Sequence, residues 1–149
     1  MATVSVKVPT HKVIAMLEEK IASLKAEIAN YPQAREAYAK AVKAHQDNLV
    51  ALTIQALTNK PEMIGTDYDS PIRVMANAYR SSSVSVTFDA DALGFPPYPV
   101  EPKNPNDTIW VNRENVRPLD ILENTLRTLR LTEQETINAS TYANVMKLL

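Results

Sequence analysis

The amino-acid sequence predicts an α+β fold in which a long N-terminal helical segment is followed by a small antiparallel sheet and two C-terminal helices, all within one domain spanning residues 1–149. Three patterns carry that expectation. Apolar side chains recur at alternating three- and four-residue steps from Ile14 to Ala56, the seam of a helix that packs along one side. "SSSVSVTF" sets Val84, Val86 and Phe88 against Ser83, Ser85 and Thr87, the period of a strand with one buried face. "RPLDILENTLRTLRL" returns to the helical period through Leu119, Leu122, Leu126 and Leu129.

From the N-terminus, "TVSVKVP" alternates Val4, Val6 and Val8 with Ser5 and Lys7 and reads as a strand that Pro9 ends. Thr10 stands where a helix N-cap is expected. The seam then runs through Ile14, Leu17, Ile21, Leu24, Ile28 and Tyr31, and again through Tyr38, Val42, His45, Leu49, Leu52 and Ala56. Pro32 separates the two stretches. Inside a helix a proline lacks the amide hydrogen, clashes with the preceding turn and costs about 3 kcal/mol, whereas at the first position of a new helix it costs almost nothing. That cost favours a helical hairpin over residues 10–59, turning back at Pro32. Tyr31 and Tyr38 nevertheless lie one heptad apart, so the stretches share a phase, and a continuous bent helix, a coiled-coil extension, is the alternative.

"NKPEMIGTDYDSP", Asn59 to Pro71, has the proline, glycine and aspartates of a connecting loop. "IRVMANAY" fits a short strand or a turn of helix. "GFPPYPVEPKNP" holds five prolines in twelve residues, so residues 94–107 form an extended proline-rich loop. Its "PVEPK" superficially matches a ligand for aromatic-lined grooves; a linker is the ordinary role for such a stretch, and Phe95 and Tyr98 give it two rings with which to dock back onto the fold. "TIWVN" is a brief strand, and Pro118 opens the first C-terminal helix. "TEQE", Thr132 to Glu135, has capping-box spacing, which starts the last helix near Glu133 with Ile137, Val145 and Leu149 as its apolar stripe.

Composition removes several function classes. Without cysteine there are no disulfides, thiolate metal ligands or thiol nucleophile. With Gly65 and Gly94 as the only glycines, neither a P-loop nor a dinucleotide fingerprint can be assembled. The net charge of -1 lacks the basic footprint of a protein held by many phosphate contacts, so nucleic acid is not an expected partner. No apolar run approaches the roughly 20 residues needed to span a bilayer, and the opening residues alternate instead of forming a signal-peptide core. A cytoplasmic protein with no membrane partner is expected.

Candidate chemistry is sparse. His11 and His45 have no partner at ligand spacing, so no metal or cofactor is expected; His45 sits in the seam, where a polar residue sets register. "FDADA" places Asp89 and Asp91 on one side of a strand end, as carboxylates that share Mg²⁺ are placed, although aspartate is also the ordinary residue of strand ends and turns. Arg73, Tyr79, Arg80, Trp110, Arg113 and Arg117 flank the predicted strands. Arginine forks phosphate and aromatic rings stack on bases, so these residues form the best set for a small anionic, ring-containing ligand such as a nucleotide. Their ordinary role is pairing with the surface carboxylates of the same half.

The order of parts, with "TVSVKVPTHKVIAMLEEKI" opening, an alternating strand in the middle and "LTEQETINASTYANVMKLL" closing, resembles small uncharacterised proteins encoded by actinobacterial phages. The resemblance covers the whole chain, implies the cytoplasm of an infected bacterium as its setting, and carries over no catalytic residue. The expectation is a non-enzymatic, oligomeric accessory protein that binds a host component. Ile14, Leu17, Ile21, Leu24, Ile28, Val42, His45, Leu49 and Leu52 would be its self-association seam. Three further readings stand beside it: sequestration of a small anionic nucleotide signal in host-defence evasion, a structural place in the virion, and a Mg²⁺-dependent nucleotidyl enzyme using Asp89 and Asp91.

Overall fold

In the computed structural model, which describes residues 7–77, 79 and 83–149, helix α1 runs unbroken from Thr10 to Asn59, 50 residues with Pro32 in its interior. The chain does not turn back at Pro32, so the hairpin gives way to the continuous alternative. Burial explains why. The cover for Leu17, Ile21 and Leu24 comes from C-terminal helices and not from Leu49 and Leu52, and fully burying each such side chain is worth about 1.5–3 kcal/mol. Several of these together outweigh one missing backbone hydrogen bond.

Strand β1 (Lys7–Pro9) precedes α1, and Val4 and Val6 of the expected strand lie outside the described residues. After a short 3₁₀ turn at Pro61–Met63 come β2 (Ile64–Gly65), β3 (Ile72–Ala76), β4 (Val84–Phe88) and the single-turn helix α2 (Ala90–Leu93). Then follow β5 (Ile109–Val111), β6 (Glu114–Val116), α3 (Pro118–Leu131), β7 (Thr136–Asn138) and α4 (Ala139–Met146). The α+β class is as expected, but the strands form three small sheets instead of one. These are an antiparallel β1–β7 pair, a β2–β3–β4 sheet in which β2 runs parallel to β3 and β4 antiparallel to it, and an antiparallel β5–β6 hairpin. Among the described residues no helix is long and apolar enough to cross a membrane.

The contacts divide the chain into two compact units, one comprising the residues up to Ala34 together with Pro102–Leu149, the other Arg35–Glu101. In the first, Val13, Leu17, Ile21 and Leu24 of α1 pack with Leu122, Leu126 and Leu129 of α3, Ile137 of β7 and Val145 of α4. Lys25 bridges to Glu123 at 2.7 Å and Arg130 to Glu18 along the rim of this contact. Both pairs are half in solvent, so they orient more than they stabilise.

Helix ends in this unit are tied by residues far away in sequence. Thr10 is buried; its hydroxyl donates to the carbonyl of Gln134 at 2.8 Å and its amide to that of Glu135 at 2.9 Å, in place of the expected N-cap role. The expected capping box does not form: the Thr132 amide that the Glu135 side chain would accept from donates instead to the Leu129 carbonyl at 3.3 Å, and no helix follows Thr132 directly. Thr132 instead closes α3 in an extended conformation. Ile137 pairs opposite Val8 as a strand residue, and α4 starts only at Ala139, where the Asn138 side chain accepts from the Thr141 amide at 2.8 Å. A β-branched Thr136–Ile137 pair beside an open strand edge gains ladder bonds that a longer helix would forgo. Arg117 makes no side-chain cap for α3; Asn106, from the preceding loop, accepts from the Leu119 amide at 3.1 Å.

The second unit has a thinner core of Ala56, Ile72 and Leu93, flanked by Met63, Phe88 and Phe95, with the two phenyl rings stacked 6.0 Å apart. Replacing Pro32 with alanine restores an amide donor for the Ile28 carbonyl and relieves the ring clash, so stability should rise by up to about 3 kcal/mol with helix content retained. Circular-dichroism melting checks this; a lowered melting temperature would show that packing depends on the proline.

Candidate functional site

The second stretch of the α1 seam is covered by the proline-rich segment, which docks instead of serving as a free linker. Phe95 and Leu93 line a recess with Leu52 and Ala56 of α1. Three residues on, the Tyr98 ring meets His45 edge-on at 5.4 Å, and three further on Glu101 pairs with Arg35. The strap thus runs antiparallel to α1. Extended chain advances about 3.1 Å per residue and helix about 1.5 Å, so contacts three apart on the strap fall roughly two turns apart on the helix. Val42, His45, Leu49 and Leu52 are half-buried in consequence. Tyr38 lies in the same cluster, and its phenol is held above its ordinary range. A side-chain hydrogen bond with Tyr98 contributes most, with desolvation and the charge of Glu101 adding and Arg35 opposing.

Two other surfaces of this unit are open. The β3–β4 register sets Ile72 opposite Phe88, Val74 opposite Val86 and Ala76 opposite Val84, so all six share one face. Only the Ile72–Phe88 end reaches the core; Val84 is 65% exposed and Val86 45%, where the alternating pattern predicts burial. Among the described residues, too few reach over this face to cover its far end. β4 is also the edge of its sheet. Asn77 donates to the Ser83 carbonyl and Asp89 to that of Pro71, which places the odd-numbered residues of β4 in the hydrogen-bonded pairs with β3. The amides and carbonyls of Val84, Val86 and Phe88 therefore point outward, away from any described strand. On α1 itself, Val50, Ile54 and Leu57 form an apolar stripe that is 62%, 61% and 40% exposed, about 130° round the helix from the strap.

The residues proposed for an anionic ligand fall in both units. On β3, Arg73 donates to the Met75 sulfur and lies over the Tyr68 ring, 5.2 Å from its centre. Tyr79 is exposed, its amide donating to the Asn77 side chain at 3.0 Å; Arg80 lies outside the described residues. In the other unit Trp110 is exposed on β5, Arg117 immediately precedes α3, and Arg113 sits with Asn112 in the two-residue turn between β5 and β6. Both turn residues have positive φ, 49° for Asn112 and 69° for Arg113, the signature of a type I′ turn, in which glycine is the usual second residue.

Asp89 and Asp91 have a structural place. The Asp89 carboxylate accepts from the amides of Asp91 and Ala92, both at 3.1 Å, as the N-cap of α2, which Gly94 closes at φ 70°. Among the described residues no group of three His, Cys, Asp or Glu side chains is placed to hold a metal ion. His11 is exposed in the first turn of α1. Sequence reasoning missed the capping roles of Asn106 and Asn138 and the free edge of β4. Asn138 carried a signal, an asparagine ahead of "ASTYANVM"; Asn106 carried none, since its partner is thirteen residues away.

No family model, curated protein or solved structure matches this chain.

Because the folded pKa of Tyr38 is raised, the docked strap holds its proton more tightly than the free chain. The associated stability is present below the ordinary phenol pKa of 10.0 and is lost as pH rises through the raised value. Tyr98→Phe keeps the ring contact with His45 and removes the hydroxyl, so Tyr38 should titrate at lower pH than in the parent. Phenolate absorbance, with Tyr38→Phe to assign the transition, reads this directly; an unmoved midpoint would show that Tyr98 is not the cause.

Proposed function

We propose that the protein acts by binding, without catalysis, and that its target is a protein of a phage-infected bacterium, engaged in the cytoplasm through the free edge of β4. The supporting observation is that edge. Val84, Val86 and Phe88 present outward amides and carbonyls, and the strand holds no lysine, proline or other charge of the kind that blocks edge pairing elsewhere. An extended segment of a partner, added antiparallel to β4, would satisfy these groups. Its own alternate apolar side chains would cover Val84 and Val86. The main-chain bonds give affinity and the exposed valines give selectivity for an apolar, alternating segment.

The test uses the asymmetry of the strand. Val86→Pro removes an amide that faces outward and leaves the β3–β4 ladder intact, so the fold should persist while capture of a host protein from lysate falls at least tenfold. Ser85→Pro removes a ladder bond and should destabilise the sheet itself. Undiminished capture by a folded Val86→Pro variant, or no host protein retained by the parent chain, would overturn the reading.

A further inference from the structure

Segments far apart in sequence line a cavity of about 320 Å³ in the unit that holds α3. Lys20, Leu24 and Glu27 recur at four- and three-residue steps and so share one face of α1. Leu24 and Leu122 border the cavity as core residues, and Ile121 and Leu148 as half-buried ones. Ile109 of β5 completes the apolar lining, while the alternation of the strand turns Trp110 to the opposite face. The charge around this apolar space is one-sided. Lys20 and Lys147 both border it, and neither makes an ion pair with a described residue. Glu27, the carboxylate of the lining, accepts from the Ser23 hydroxyl of its own helix at 3.4 Å. Two ammonium groups against one carboxylate leave a single positive charge without its counterpart.

We propose that this cavity binds a small monoanion with an apolar body, a carboxylate on a chain or ring of about eight carbons. A water molecule takes about 30 Å³ in the liquid, so a space of about 320 Å³ accepts roughly ten non-hydrogen atoms. The apolar body lies against Leu24 and Leu122 and displaces water that those walls cannot hydrogen-bond. The anionic group stays toward solvent with the lysines: Lys147 is exposed and Lys20 half-buried. A neutral ligand of the same length leaves the positive charge unbalanced, and a cationic one is repelled by it. The cavity shares no residue with the β4 edge, so either site can fail without the other.

Calorimetric titration of the full chain with octanoate tests this, with octanol, octylamine and acetate as controls. Octanoate should bind saturably with a dissociation constant of about 1 mM or tighter. Octanol should bind about fivefold more weakly, and octylamine and acetate should not bind. Lys20→Met and Lys147→Met keep the apolar stem and remove the charge, so each should weaken octanoate about threefold and leave octanol unchanged. Ile109→Trp should fill the space and abolish binding of both, with circular dichroism reading whether the variant is folded. Ile54→Gln, on the exposed stripe of α1, should change nothing. Octanol bound as tightly as octanoate, or octanoate affinity unmoved by both lysine changes, would overturn the anionic class. No saturable binding of octanoate, undiminished binding by a folded Ile109→Trp variant, or loss of binding in Ile54→Gln would overturn the site.

Discussion

The apolar seam of α1 has to be kept from water from Val13 to Ala56, and a helix alone has nothing of its own to cover it. Two segments distant in sequence do so by different means. Next to Leu17, Ile21 and Leu24 the cover is helical: leucines of α3 interdigitate with the seam, and β7 and α4 close the remaining side. Next to Val42, His45 and Leu49 the cover is a strap without regular structure, whose prolines fix it extended and whose rings supply the contact. The unbroken course of α1 through Pro32 follows from this division, because each stretch of seam finds cover without folding onto the other.

The two covers differ in strength. Nine buried apolar residues form the core beside α3, and three form the core beneath β3 and β4. A thin core leaves apolar groups in solvent, and the exposed valines of β4 and the open stripe of α1 both belong to the unit that has one. Local opening is expected first where few apolar contacts hold a segment down, which here means the strap and β4. The exposed apolar surfaces and the low local stability thus have the same origin.

Several of the polar residues that looked most chemical have structural contacts instead. Asp89 caps α2, Arg73 rests on Tyr68, and His45 packs under Tyr98. Trp110, Arg113 and Arg117 differ in that no side-chain bond to a described residue explains their presence on or beside the β5–β6 hairpin, and Arg113 occupies a conformation that a side chain raises in energy by roughly 1–2 kcal/mol.

Local periodicity was enough to give the α+β class, the helical nature of residues 10–59, the strand at Val84–Phe88, and the leucine face of α3, since each depends on spacing within a few residues, whereas Ile72–Ala76 fitted a strand or a turn of helix alike. It also showed that Phe95 and Tyr98 could anchor the proline-rich stretch. What α1 does at Pro32 was not legible there. The proline's cost is local, whereas the burial that outweighs it comes from residues some hundred positions away. The last helix fails to start at Glu133 for the same reason, the Gln134 and Glu135 carbonyls that would accept its first bonds being taken by Thr10. Likewise the alternation of Val84 and Val86 marks a face without saying whether anything lies over it, and only the tertiary structure, by ending the core at Phe88, left that face and its edge open.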